Sequence, residues 1–155
     1  MSTPAADPGG GWAPGSVGAA MIGCPKICGR TTTVHQAREA LRDDHVHALL
    51  VVDRGLLLTV VERGDLLGQP AAAPVRRLGT VAGRTLAPGA DAGAARETMA
   101  ARGQRRLAVV DDRGGLLGLL CLKRSGTGFC TDRGVRERAA QRRVTRHPHI
   151  GATCS

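Results

Sequence analysis

The chain has 155 residues, enough for one domain or two small ones sharing a core. Apolar residues make up 42%, but Trp12 and Phe129 are the only aromatic side chains, so valine, leucine and alanine must fill the interior. Net charge is +9, carried almost wholly by arginine, no apolar run approaches the roughly 20 residues of a membrane span, and no basic start followed by an apolar segment marks a secretory signal.

Residues 1–20 are Gly, Pro, Ala and Ser with little to bury, and are expected to form a disordered tail. Residues 21–30, with Cys24 and Cys28, carry the chain into the first folded unit. Thr31, Thr32, Thr33 and Val34 are β-branched and read as a short strand or strand-like lead-in. Val34, Ala37, Ala40 and Leu41 fall at helical spacing, which predicts a helix over 35–44. A strand over 46–52 follows, then a turn at Asp53, Arg54 and Gly55, then a second strand over 56–61. That second strand is continuously apolar and is expected to be covered on both faces. A short helix over 62–67 is stopped by Gly68 and Pro70.

Residues 69–74 are an Ala/Pro linker, and 75–81 read as a short helix followed by a loop. Arg84, Thr85 and Leu86 mirror the lead-in at Thr31. A turn over 88–91 places Asp91 as N-cap of a helix over 92–102, with Ala95 and Met99 facing inward. Strands over 107–110 and 116–122 form a second hairpin, and residues 123–128 are an insertion after it. Thr131 or Asp132 caps a last helix with Val135 and Ala139 inward, and 142–155 form a polar tail.

The order repeats. Residues 47–62 (H-A-L-L-V-V-D-R-G-L-L-L-T-V-V-E) have a near copy at 105–121 (R-R-L-A-V-V-D-D-R-G-G-L-L-G-L-L-C). Upstream, Ala37, Arg38 and Glu39 match Ala95, Arg96 and Glu97 at an offset of 58, which becomes 59 after the turn. Each unit reads β-α-β-β-α, and one such unit cannot bury both faces of its sheet. The expected fold is α+β: two repeats packed sheet to sheet with pseudo-two-fold symmetry, helices outside. The units span 21–68 and 83–141, joined by a linker at 69–82.

At this point the sequence resembles a tandem pair of cystathionine-β-synthase (CBS) domains, also called a Bateman module. The helix-to-strand stretches 37–52 and 95–110, the two Val-Val-Asp turns and the Glu62-Arg63-Gly64-Asp65 strand end carry the resemblance. It implies a regulatory module that binds an adenosyl ligand of the AMP, ATP or S-adenosylmethionine class in a cleft between the units. The family commonly has a hydroxyl residue, two residues, then an Asp that holds the ribose. Carried over, Asp65 is the ribose acid and Glu62 stands where the hydroxyl residue is usual. A carboxylate there is expected to repel phosphate and to favour an uncharged or cationic adenosyl ligand. In the second unit the equivalents are either Cys121 and Arg124, or Thr131 and Gly134 if the strand is read through the insertion; either way the acid is lost.

The candidate ligand set is Asp65, Glu62, Thr85, Arg106, Lys123, Arg124 and Ser125. A carboxylate accepts two hydrogen bonds from a vicinal diol, although an exposed Asp on a short helix needs no ligand. Residues 123–128 combine two cations, two hydroxyls and two glycines, as in backbone anion nests, but equally suit a surface turn. Arg105 and Arg106 enter a strand whose alternation turns one toward the cleft or leaves both solvated.

The basic balance also raises nucleic acid, but the aromatic platforms of single-strand binders are missing, so nucleic acid is not the expected partner. Five cysteines, an odd number, point to thiols in a reducing compartment, with Cys121 a core thiol. Cys24, Cys28, His45, His47, His147 and His149 are too scattered for structural zinc. No nucleophile has an evident base, so no enzyme, resident cofactor or metal is expected. The expected setting is the cytoplasm, as a homodimer acting on a partner protein. The alternative is a degenerate pair used only for dimerisation or protein contact.

Overall fold

Two helices start where the chain offers a cap. The Thr33 hydroxyl accepts from Gln36 N (3.2 Å) while Gln36 Oε1 accepts from Thr33 N (2.9 Å), a reciprocal box that opens α2, Val34–Ala40. Asp91 accepts from Ala94 N (2.8 Å) and opens α3, Ala92–Arg102, which ends at the left-handed Gly103 (φ 68°). The computed structural model describes residues 12–44, 46–130 and 150–152.

One sheet has the order β3-β2-β1-β7, built from β1 Lys26–Cys28, β2 Leu49–Asp53, β3 Leu56–Val61 and β7 Ile150–Ala152. The other has the order β4-β5-β6, from β4 Thr85–Leu86, β5 Arg106–Val110 and β6 Leu116–Cys121. In each half the first strand runs parallel to the second, and the second pairs antiparallel with the third. The irregularities coincide as well: the register shifts between Val51 and Val52 in one half and between Val109 and Val110 in the other.

Strand alternation sorts the core into layers. Leu49, Val51 and Val61 point to α2 and pack with Val34, Ala37, Ala40 and Leu66. Leu107 and Val109 likewise meet Ala95 and Met99 of α3. The intervening residues Leu50, Val52, Val60 and Ala108 pack together between the sheets. The halves are therefore joined sheet to sheet with the helices outside. The hairpin tips close the joint reciprocally, Leu57 N donating to Gly114 O (3.0 Å) and Leu116 N to Gly55 O (2.9 Å).

The repeat reaches further back than the sequence comparison shows. Val75 N donates to Thr32 O (2.9 Å), and Val17 N donates to Ala90 O (2.8 Å), which is the same bond one repeat away. Val34 N to Ala73 O (2.9 Å) has its counterpart in Ala92 N to Gly15 O (2.8 Å). Thr80 bridges to Val60 at the edge of β3, and Ile22 bridges to Leu119 in β6. Residues 15–22 and 73–80 are thus equivalent leaders, and each packs on the half to which it does not lead.

Several expectations change. Residues 12–20 are not a tail: Val17 in the short α1, Val17–Ala20, is fully buried beside Met99 and Leu120. The strand that precedes α2 is Lys26–Cys28, not Thr31 to Val34; Ile27 pairs with Leu50 as Thr85 pairs with Ala108. Thr33 is the counterpart of the cap Asp91 rather than of Arg84 to Leu86. Helix α2 stops at the Leu41 cap, and residues 46–48 lie outside β2. The first half of β3 is open, with Leu56 and Leu58 exposed and only Thr59, Val60 and Val61 buried. Residues 62–67 hold a 3₁₀ turn, Arg63–Leu66, and Val75–Arg77 form another. Ile150–Ala152, placed in the polar tail by sequence, extends the first sheet beside β1. The expected last helix lies outside the described residues.

Candidate functional site

Three segments converge where the halves meet. The first is the end of β3, Glu62 to Gly64. The second runs on from the end of the leader, Thr80 to Arg84, and the third is the loop from α3 into β5, Arg102 to Arg106. With His47 they line an open cleft of about 600 Å³, within the usual range for a small-molecule site. Among the described residues, five arginines, Arg63, Arg84, Arg102, Arg105 and Arg106, stand in its wall with one carboxylate, Glu62.

Each segment is held by hydrogen bonds to backbone carbonyls, some within the cleft and some beyond it. Arg63 donates through Nε (3.0 Å) and Nη2 (2.6 Å) to Leu41 O and through Nη2 to Asp43 O (3.0 Å), satisfying carbonyls just past the end of α2. Gln104 Nε2 donates to Gly83 O (2.8 Å), tying leader to loop. Arg105 Nε donates to Leu122 O (3.0 Å), and Arg106 Nη1 to Arg105 O (3.0 Å). Bonds to neutral carbonyls orient a guanidinium without cancelling its charge.

Arg84 is different. Its Nη1 donates to Asp65 Oδ2 (2.7 Å) and Val60 O (2.7 Å), and its Nη2 lies 3.3 Å from Glu62 Oε1. Asp65 Oδ2 also accepts from Glu62 N (2.8 Å). Burial alone would raise the Asp65 pKa. The Arg84 hydrogen bond, the Glu62 N–H and the Arg84 charge outweigh it, so the group lies below its ordinary value. His47 shows the sign of the cleft's field. Burial, then Arg106, Arg105, Arg63 and Arg124, lower its pKa to about 4.

Of the sequence-predicted residues, Glu62 and Arg106 line this cleft. Asp65 sits behind Arg84 with its carboxylate engaged. Thr85 is in β4 and borders a separate hollow with Trp12, Pro88 and Leu117. Lys123, Arg124 and Ser125 form a tight turn in which Gly126 N donates to Lys123 O (2.8 Å) and Ser125 Oγ meets Thr127 Oγ1 (2.7 Å). They do not line the cleft, although the charge of Arg124 reaches His47. Strand pairing settles the second-half register: Leu49 opposes Val61 and Leu107 opposes Leu120, so Cys121 stands for Glu62 and Arg124 for Asp65.

The wall departs from the charge expectation: Glu62 shares Arg84 with Asp65, and among the described residues that line the cleft arginines outnumber carboxylates. Sequence reasoning missed His47, Arg63, Arg84 and Arg102. Arg63 lies between the two acids it was read with, but only folding shows that residues 84 and 102 come to the same wall. The thiol expectation also changes, since Cys121 is joined to Cys130 by a disulfide (Cα–Cα 5.3 Å) and Cys24 is disulfide-bonded. Cys28 is a free, buried thiol whose pKa burial raises. Among the described residues no group of three metal-ligating side chains comes together. Among them, too, no helix is long and apolar enough to cross a membrane.

Residues 82–124 match the family model of the CBS domain. No curated protein matches the chain. Among solved structures, the chain is similar to the cystathionine β-synthase pair domain of a protein from Shewanella oneidensis MR-1. There the identity is 25%, the TM-score 0.64, and the match covers 82% of this chain and 73% of that one. It is also similar to CBSX2 in complex with AMP, at 25% identity and TM-score 0.57, over 84% of this chain and 98% of that one. The cytosolic domain of the Mg2+ channel MgtE in complex with ATP shares the fold at 21% identity and TM-score 0.55, over 71% of this chain and 47% of that one. The duplicated β-α-β-β order, the sheet-to-sheet joint and these matches agree: the chain has the fold of a tandem CBS pair, and its second half matches the CBS domain family.

Proposed function

We propose that the chain is a regulatory module that binds an adenine nucleotide in the cleft between its halves and passes the bound state to a partner protein. One observation carries this reading: a cleft of about 600 Å³ whose arginines come from both halves. An anion seated there bridges residues 63, 84, 102, 105 and 106, so it touches both halves at once and biases how they pack. Similar structures with AMP and with ATP support the ligand class. The cationic wall disfavours S-adenosylmethionine, whose sulfonium adds a positive charge. The module pairs with a second copy in this reading and performs no chemistry of its own.

A second reading is a degenerate pair that serves only protein contact. Two observations favour it: Arg124 stands where the second half would carry its ribose acid, and Asp65 is already bonded to Arg84. Calorimetric titration with AMP, ATP and S-adenosylmethionine separates the two. Saturable heat with AMP or ATP supports the nucleotide reading. No heat from any of the three, on a sample that unfolds cooperatively, leaves the contact-only reading.

A further inference from the structure

The two halves differ most where β3 and β6 end. In the first half the chain runs on from β3 into the 3₁₀ turn Arg63–Leu66, and Glu62 stands in the cleft wall. In the second half the strand pairing puts Cys121 in the place of Glu62, and the chain then doubles back. Gly126 N donates to Lys123 O (2.8 Å) and Lys123 N to Gly128 O (2.9 Å). Leu122 bridges to Phe129, and Cys130 N donates to Cys121 O (2.7 Å). From α3, Arg96 reaches this hairpin only at length, its Nη1 lying 3.5 Å from Gly126 O. The Cys121–Cys130 disulfide closes the hairpin at its base, across a sequence separation of 9.

Two features set this bond apart from a core staple. The ladder from Arg106 with Cys121 to Val110 with Leu116 holds β6 to β5 without it, so what it secures is the hairpin. Its two ends are also unequally covered: Cys121 is buried and Cys130 half-buried, so the bond is approached from the Cys130 side. Cys28, the free thiol, is buried and its pKa is raised, which makes it a poor competitor for exchange. The hairpin carries Arg124, whose charge reaches His47 in the cleft wall together with those of Arg63, Arg105 and Arg106.

We infer that the Cys121–Cys130 disulfide is a redox clasp: closed, it holds the 122–130 hairpin and the charge of Arg124 beside the cleft, and opened by a dithiol it lets the hairpin loosen and that charge withdraw. This holds whichever ligand the cleft takes. In the opening step a thiolate of the dithiol donor attacks Cys130 Sγ, the S–S bond breaks and Cys121 leaves as a thiolate. The donor's second thiol then displaces Cys130. The donor departs as a disulfide and both cysteines end as thiols, two electrons and two protons having passed from donor to protein. An oxidised donor closes the clasp by the reverse steps. Closing a loop of about ten residues shifts its closed–open equilibrium roughly a hundredfold through chain entropy.

The test is amide exchange and a His47 proton titration by NMR on three samples of the full chain: the oxidised protein, the protein with dithiothreitol, and oxidised Cys130→Ser. The variant keeps the buried Cys121 and leaves the disulfide of Cys24 intact. Opening the clasp should speed exchange at Lys123 and Gly126 by about a hundredfold and leave the β5 and β6 amides unchanged. It should also move the His47 titration to higher pH, and the second and third samples should agree. A disulfide that dithiothreitol leaves closed in the folded chain overturns the inference. So does a change seen with dithiothreitol but absent from Cys130→Ser, which assigns it to the disulfide of Cys24. Faster exchange with an unmoved His47 titration overturns it as well, because the hairpin then brings no charge to the cleft.

Discussion

Arg84 gives the sharpest test of how the halves are held together. It follows the leader and enters the second half, yet it bonds Asp65, Glu62 and Val60 O of the first. Replacing it with Met keeps most of the volume and removes the charge. A hydrogen bond to a charged group is worth about 1.5–3 kcal/mol. Arg84 makes a short one to Asp65 and a longer contact to Glu62, which is 41% exposed and therefore screened. The expected loss is about 2 kcal/mol at pH 7, or roughly 4–8 °C in Tm for a chain of this size. The pH dependence makes the test specific. The Asp65 pKa is lower in the fold than in the unfolded chain, so its contribution is complete above the ordinary carboxylate pKa. It disappears as pH falls through the lowered value, where the carboxylate takes a proton. Urea unfolding of both proteins at pH 7, 5, 4 and 3 should show a gap that is constant down to about pH 5 and narrows below about pH 4. A gap as large at pH 3 as at pH 7, or no gap at pH 7, refutes the reasoning.

Three further outcomes follow from single residues. Val17→Ala removes two methyl groups from a fully buried site and should cost about 2 kcal/mol in urea unfolding, with an unchanged m-value. A cost near zero would return residues 12–20 to the solvent. Gly79 has φ +72°, and a Cβ there would run into the Val60 carbonyl; Gly79→Ala should lower stability by about 3 kcal/mol, seen as a fall in Tm. His47 has a folded pKa of about 4 against an ordinary 6.5, so its stabilising effect is complete above pH 6.5 and is lost as pH falls toward 4. His47→Gln should flatten the stability profile across that window. A proton NMR titration giving His47 a pKa near 6.5 would show that neither burial nor the neighbouring arginines act on it as the structure implies.

The repeat was legible because its matching residues are the core. Leu49 to Asp53 and Leu107 to Asp111 face the same layers in both halves, and burial restricts such positions to similar side chains. The leaders hid for the opposite reason. Residues 15–22 and 73–80 repeat backbone hydrogen bonds, which place few demands on side chains, and Val17 and Val75 are the one apolar match between them that both halves bury. Thr31 to Thr33 illustrates how propensity misleads. Three β-branched residues look like a strand, but Thr33 spends its hydroxyl on a cap and Thr32 N turns back to Gly29 O. Lys26 to Cys28 has neither the length nor the alternation to announce itself, and its neighbours β2 and β7 determine it. The acids of the site could be found from a local pattern. Strand alternation also pointed to Arg106, but Arg63, Arg84 and Arg102 lie on separate elements that only the packed halves bring to one wall.

The exchange of leaders explains why this cleft is suited to regulation. If residues 73–80 packed on their own half, Arg84 would approach Asp65 only across a loose interface. Because Thr80 is pinned to Val60 and Val75 is buried under Thr32, the residues after the leader enter the second half along the wall of the first. The cleft's charge is consequently shared between halves at a fixed spacing, and an anion that matches that spacing binds the joined state better than any splayed one. A ligand at a hundred times its Kd adds about 2.7 kcal/mol to the state it selects. That is comparable with the Arg84 contacts themselves, so occupancy of the cleft is strong enough to shift how firmly the halves, and whatever surface they present together, are held.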